Sequence, residues 1–378
     1  MIYFDNAATS LYKPQCVVDA VSKALTSFGN AGRGMHSAGE MAMEAIFQAR
    51  MCVAEFFGAE GPSNISFTAN STMALNIALK GLLSPKDHVI TSVLEHNSVL
   101  RSLYELERAG MQISFIDIDE TEALDIKSID SFFRENTRAV VITQASNLTG
   151  NVTDIAYVAK KAHERGAIVI VDASQSAGFL DIDVQKTGID VLCFTGHKAL
   201  LGPQGTGGLY VRNGLDIRPL LSGGSGIDSY SKLHPEIMPS RLEAGTANAH
   251  GLAGLLAGVN YIRDFGLENI RKIESRLCFY FYDELKNIDG IRILGAFGQE
   301  ERCPIVSLNV RDCSSAEICS ILSSELDIAV RGGAHCAPLA HERLNTKTQG
   351  AVRFSFCKEN TEKELETAIK ALKMLASS

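Results

Sequence analysis

No two of the nine cysteines stand in a CxxC pair. Scattered singly from Cys16 to Cys357, they outline neither a zinc site nor a disulfide framework. In a reducing compartment most would serve as small buried hydrophobes. Positive charge is scarce too: the net charge of -8 argues against nucleic acid or an anionic membrane surface as a main partner. No apolar run approaches the roughly 20 residues that span a bilayer. The opening MIYFDNAATS has neither the basic region nor the long apolar stretch of a signal peptide, so a cytoplasmic protein is expected. Internal repeats, low-complexity tracts and long Pro/Ser linkers are also missing. What is there is 378 residues at 46% hydrophobic content, enough for a large core and, by length, about two domains.

Short apolar runs rich in β-branched residues recur: ISFT (65–68), VITSVL (89–94), ISFIDI (113–118), AVVIT (139–143), AIVIV (167–171), DVLCF (190–194) and GGLYV (207–211). Helix-length segments lie between several of them, such as DIAYVAKKAHERG (154–166), which ends in glycine as helices often do. This alternation predicts an α/β architecture whose mostly parallel sheet is covered on both faces. A long helical pattern follows over 250–290. Beyond it, IRIL, PIVSLNV, DIAVR and AVRFSF alternate with SAEICSILSSEL and ENTEKELETAIKALKML, the pattern of a smaller α+β domain. A cleft between two such domains is a usual place for a ligand.

In sheets of this kind ligands gather beyond the carboxyl ends of the strands. Polar residues stand at five of those ends: Ser71 and Thr72 after ISFT, Glu95 and His96 after VITSVL, Asn147 after AVVIT, Asp172 and Gln175 after AIVIV, and Thr195, His197 and Lys198 after DVLCF. Each has an ordinary reading. Ser71 or Asp172 could cap a helix, His96 could be a satisfied buried histidine, and Lys198 a solvated lysine. Together they match what pyridoxal phosphate requires. A lysine joins the cofactor's aldehyde, and partial burial makes its amine nucleophilic. A carboxylate, here Asp172, keeps the pyridine nitrogen protonated so that the ring draws electrons. His96 offers a planar face for stacking. Ser71 and Thr72 at a helix start, joined by Thr195 and His197, suit the phosphate. Gln175 can donate to the phenolic oxygen.

The stretches FTGHKALLGPQGTGGLYV, VIVDASQSAG, VLEHNSV, SNLTG, EAGTANAHG and RGGAHCAPL resemble the class V branch of fold-type I pyridoxal-phosphate enzymes, in particular the cysteine desulfurase and selenocysteine lyase group. YFDNAATS and NAGRGMHSAGEMAMEAIFQAR match as well, so the resemblance runs from the first residues to about Arg353. It implies a fold-type I transferase with a seven-stranded sheet. Residues 15–255 would form the large cofactor-binding domain, and 1–14 with 256–378 the small one. Lys198 would carry the cofactor as a Schiff base, Asp172 would face the pyridinium, His96 would stack, and Gln175 would meet the phenolic oxygen. Ser71, Thr72, Thr195 and His197 would bind phosphate, with Asn147 beside ring and substrate. Arg353 would take the substrate α-carboxylate, a task suited to guanidinium, with Arg331 and His36 also on the substrate side. Thr246 would reach the phosphate of a neighbouring subunit, which implies a homodimer. Cys336 would be the nucleophile, its thiolate favoured by Arg331 and His335 as cationic neighbours. The implied reaction turns L-cysteine into L-alanine and leaves a persulfide on Cys336, to be discharged to a thiol, a reductant or an acceptor protein. No metal is implied.

Some positions depart from the pattern. The cysteine loop reads Arg331-Gly332-Gly333-Ala334-His335-Cys336 where related loops often read Arg-Thr-Gly-His-His-Cys, so a looser loop is expected. Gly32 stands where a histidine is common, while Arg33 and His36 remain. The phosphate turn TANST lacks a glycine, and Thr195 replaces a serine. Three alternatives stay open. Selenocysteine lyase would use nearly the same residues, a pyridoxal-phosphate β-lyase or aminotransferase would leave Cys336 idle, and a sulfur-relay protein would act mainly by docking to a carrier.

Overall fold

The computed structural model describes residues 1–32, 36–298 and 301–377; Arg33 lies outside them. Numbered after β1 (Ile2–Tyr3), the seven predicted apolar runs become β2 (Ile65–Thr68), β3 (His88–Ser92), β4 (Gln112–Ile116), β5 (Thr137–Thr143), β6 (Ile168–Asp172), β7 (Val191–Thr195) and β8 (Gly207–Val211). They form one sheet in the order β2-β8-β7-β6-β5-β3-β4. Strand β8 runs antiparallel to both neighbours, and every other pairing is parallel. The expected α/β class and seven-stranded, mostly parallel sheet are therefore present.

The continuous apolar runs reflect cover on both sides. Successive side chains of a strand face opposite ways, so each central strand feeds two cores. Val141, Ile170 and Val191 pack with Leu75, Leu79, Val99 and Leu103 from the helices Ser71–Leu82 and Asn97–Arg108. Their neighbours Val140, Val169 and Leu192 pack on the other side with Val53, Phe57 and Leu255.

The helical pattern over 250–290 is two helices, Ala249–Phe265 and Leu267–Leu285. Gly266 takes φ +89° between them, a conformation that ends the first. The strands that follow are β9 (Ile291–Leu294), β10 (Ile305–Val310), β11 (Ile328–Ala329), β12 (Arg331–Gly333) and β13 (Ala351–Ser355). A four-stranded antiparallel sheet has the order β12-β13-β10-β9. The run DIAVR, expected as one strand, is divided: β11 pairs with β1, and β12 turns to pair with β13.

The first ten residues touch both sheets. Phe4 is fully buried against Phe354 and Phe356 beneath the small sheet, and Asn6 Nδ2 donates to Ser355 O at 3.0 Å. On the other side Gln175 Nε2 donates to Ala7 O at 3.1 Å, and the hydroxyls of Thr9 and Ser10 each donate to His197 O at 3.1 Å. Among the described residues no helix is long and apolar enough to cross a membrane, and all nine cysteines are free.

Candidate active site

Parallel register sets the strand ends level: Asp172, the last residue of β6, is paired with Thr143 of β5 and Cys193 of β7. Beyond that level the chain turns, and polar side chains surround a cavity of about 210 Å³. Its wall includes Ser71, Thr72, His96, Asn147, Asp172, Gln175, Thr195, His197, Lys198, Arg331 and Arg353. Cys336 is outside the wall but beside it, since His335 lines the cavity and Cys336 O accepts from the backbone of Asn97, next to His96. Two expected residues are placed elsewhere in this chain. Thr246 is exposed and away from the cavity. His36 is exposed and caps the helix Ser37–Phe56, its Nδ1 accepting from Gly39 N at 3.2 Å.

Lys198 is half-buried. Burial draws its amine down to about 8; Asp172 opposes this, while Arg353 and Arg331 reinforce it. Asp172 accepts at one oxygen only: Oδ1 takes Ser174 Oγ at 2.5 Å, Ser174 N at 2.9 Å and Ser71 Oγ at 3.4 Å. Among the described residues no donor meets Oδ2, which is left for the cavity. Ser174 was legible in the sequence only as a residue two after an aspartate, the spacing of a local side-chain turn.

His96 is held in one tautomer. Its Nδ1 accepts from Ser98 N at 3.0 Å, and a backbone N–H can only donate, so the proton sits on Nε2. Burial lowers its pKa, ahead of an opposing effect from Asp172, which keeps the imidazole neutral at pH 7. Ser98 Oγ lies 2.9 Å from the same Nδ1 and 2.8 Å from Thr72 Oγ1, so Ser98 links the stacking candidate to the phosphate candidate. Beneath them Glu95 is wholly buried, its carboxyl raised to about 8 by burial and its Oε1 accepting from Ser92 Oγ and Thr143 N.

The helix Ser71–Leu82 starts at the cavity. Asn70 caps it, with Oδ1 accepting from Met73 N at 2.9 Å. The first-turn N–H groups of Ser71 and Thr72 have no acceptor inside the helix. They add to the hydroxyls of Ser71, Thr72 and Thr195 and to a neutral His197, whose imidazole is lowered to about 4 by burial and then by Lys198.

Arg331 and Arg353 are direct partners across β12 and β13, so their side chains share one face. Like charges so placed repel, and an anion between them removes the repulsion. Arg353 is 1% exposed. Its Nη1 donates to Asn147 O at 2.8 Å and its Nη2 to Asp5 Oδ1 at 2.9 Å, while Nε has no partner among the described residues. Asp5 lies 348 residues from Arg353, and no sequence pattern announced the pair.

Two expectations about the cysteine loop are corrected. His335 is no cation: burial, then Arg353, lowers it to about 3, and its Nε2 donates to Ala351 O at 2.9 Å. Of the two cations expected near Cys336, Arg331 remains. Nor is the loop loose. A Cβ at Gly332 would lie 2.8 Å from Cys319 Sγ and 2.9 Å from Ser315 O, so this glycine lets the loop pack closely on the helix Ser315–Leu326. His335 and Cys336 take φ +48° and +56°. Such left-handed residues each cost roughly 1–2 kcal/mol and persist only where surrounding contacts hold them.

The residues present fit pyridoxal phosphate. A half-buried amine with a lowered pKa, a carboxylate oxygen without a protein donor, a neutral imidazole of fixed tautomer and an uncapped pair of helix N–H groups face one cavity. Comparison with known proteins agrees. The model of the family described as aminotransferase class-V matches residues 2–367. A probable cysteine desulfurase of Pyrococcus abyssi is 34% identical, over 100% of this chain and 95% of its own length. A cysteine desulfurase of Haloferax volcanii is 33% identical, over 98% of this chain and 88% of its own. The apo structure of cysteine desulfurase from Thermococcus onnurineus superposes with a TM-score of 0.93 at 34% identity, covering 100% of this chain and 94% of that one.

Proposed function

The chain belongs to the aminotransferase class-V family, and from that membership we propose a pyridoxal-phosphate-dependent cysteine desulfurase that converts L-cysteine to L-alanine and keeps the sulfur on Cys336. One observation carries this reading: Lys198, Asp172 and His96 share a cavity, and the Cys336 loop is bonded to the residue next to His96.

Lys198 would hold the cofactor through its aldehyde, Asp172 would face the ring nitrogen, His96 would cover the ring, and Gln175 would meet the phenolic oxygen. Ser71, Thr72, Thr195 and His197 would hold the phosphate. Bound there, the cofactor supplies an electron sink for the pair released at the substrate Cα. The rest falls to this chain's own groups. Arg353 and Arg331 fix the substrate α-carboxylate, a bidentate task for a guanidinium already oriented by Asp5 and Asn147. Lys198 Nζ moves the Cα proton, which an amine of pKa about 8 does in either direction near neutral pH. Cys336 Sγ, as thiolate, attacks the substrate sulfur. A sulfur–sulfur bond forms, the Cβ–sulfur bond breaks, and Cβ takes a proton to become the methyl group of alanine. A second thiolate, from a small thiol or an acceptor protein, then attacks the outer sulfur and carries it off.

Three further features belong to this reading. Residues 15–255 form the cofactor-binding domain, and 1–14 with 256–378 the small domain; the pairing of β1 with β11 and the burial of Phe4 against β13 support that division. The active form is a homodimer in which Thr246 reaches the neighbouring phosphate; its exposure, with that of Tyr230, Leu233 and Ile237 in the same segment, supports this. The reaction runs in the reducing cytoplasm, where nine unpaired cysteines remain thiols.

The test compares wild type, Lys198→Ala and Cys336→Ala. Visible absorption of the bound cofactor should change only in the lysine variant, and alanine and sulfide release from L-cysteine should vanish in both. Undiminished sulfide release by Cys336→Ala would overturn the persulfide step. Rates on L-selenocysteine beside L-cysteine establish which chalcogen is preferred.

A further inference from the structure

We propose that a second cavity, adjoining the candidate active site, binds a small neutral molecule with an apolar body and one hydrogen-bond acceptor, a short amide or ketone, with Glu274 as the donor that recognises it. The proposal stands independently of the desulfurase reading. The cavity measures about 60 Å³ and lies where the start of the chain, the segment after β7 and the end of β13 meet. Ala7, Gln175 and Lys198 line both this cavity and the larger one, and so form the partition between them. Most of the remaining wall is apolar, with Phe179, Leu201, Ile270, Ile305 and Phe356 contributing. A space of that size holds roughly four or five water-sized groups, which sets the size of the ligand.

Glu274, on the helix Leu267–Leu285, is 9% exposed and lines this cavity. Its Oε1 accepts from Lys358 N at 3.1 Å, and among the described residues no donor meets Oε2. Burial raises the carboxyl to about 8; the bond from Lys358 N opposes this, Glu359 reinforces it, and the Lys358 charge opposes it again. At neutral pH the group is therefore a carboxylic acid, and since Oε1 already accepts, the O–H is at Oε2. A buried donor without a partner is costly, and a ligand oxygen removes that cost. The other polar side chains on the wall are engaged: Gln175 Nε2 donates to Ala7 O at 3.1 Å and Ser10 Oγ to Lys198 O at 2.9 Å. The thiols of Cys303 and Cys357 are pushed up by burial and stay neutral. One acceptor on an apolar body matches this wall. A cation would surrender its hydration to apolar side chains, and an anion would meet Glu359 at the rim.

The probe is N,N-dimethylformamide carrying 13C at its carbonyl, whose resonance moves when the oxygen accepts a hydrogen bond. Titrated into holoenzyme at pH 7, it should give a shift that saturates in the millimolar range. Raising the pH from 7 to 9 should weaken binding about tenfold, following the protonated fraction of an acid with pKa about 8. Of the other titratable groups on the wall, Lys358 and Glu359 are bonded to each other, and the two thiols and the Tyr12 phenol are raised by burial. Lys198 also titrates at about 8, and Glu274→Gln separates the two. Its amide keeps the shape and a donor that does not ionise, so this variant should bind equally at both pH values. Glu274→Leu, which lacks a donor, and Ile270→Phe, which fills the space, should lose saturable binding, with unchanged cofactor absorption showing that they are folded. A shift that stays linear with concentration in wild type, a pH dependence that survives Glu274→Gln, or undiminished binding by folded Glu274→Leu would each overturn the proposal. Should the Leu and Phe variants fail to fold, wild type against Glu274→Gln decides alone.

Discussion

Lys198 and His335 show how enclosure sets chemistry at single residues. An ordinary lysine titrates near 10.5, and burial brings this one to about 8. Only the neutral amine attacks an aldehyde, and the neutral fraction grows as pH rises through the pKa. Recombination of cofactor-free protein with pyridoxal phosphate, followed by visible absorption, should therefore accelerate as pH rises through 8 and level off above it. A rate still climbing toward 10.5 would mean that the amine is solvated. His335 moves the other way in function: a residue that reads as a cation beside a cysteine is a neutral donor to a backbone carbonyl. The sequence disclosed which residue types stand at the strand ends, because apolar runs there stop abruptly at polar ones. It could not disclose their charge states, which depend on burial by segments hundreds of residues away, nor the contact between Asp5 and Arg353.

At the scale of elements, the start of the helix Ser71–Leu82 does two tasks that Asn70 separates. By taking Met73 N, the cap satisfies one first-turn donor and leaves those of Ser71 and Thr72 for an anion. Asn70→Ala should destabilise the protein by about 1 kcal/mol in urea unfolding, and should weaken retention of the cofactor phosphate during dialysis. Unchanged unfolding would mean that the cap contributes nothing. Strand positions in the large sheet were legible because residues covered on both faces read as unbroken Val and Ile runs. The division of DIAVR between two sheets was not legible. Both halves have strand composition, and only the arrival of β1 from the other end of the chain takes the first half away.

For the molecule as a whole, the first ten residues are the strap that joins the two sheets. They add a strand beside β11, place Phe4 in the small core, hold Arg353 through Asp5, and meet the carbonyl of His197 one residue before Lys198. Phe4→Ala should cost about 3–5 kcal/mol by urea unfolding, the usual range for emptying a fully enclosed phenylalanine site. A loss below about 1 kcal/mol would place this segment outside the core. The second, four-stranded sheet could be read from the change in pattern after residue 290. The strap itself has too few residues for any periodicity, so its partners emerge only in three dimensions.

The fastening of the cysteine loop has a consequence for traffic. If Cys336 carries the sulfur as proposed, that atom would sit on a tethered perch with a fixed address. Collection would then be expected at the doorway, by a small thiol that diffuses in or a carrier that inserts a slender projection bearing its own cysteine.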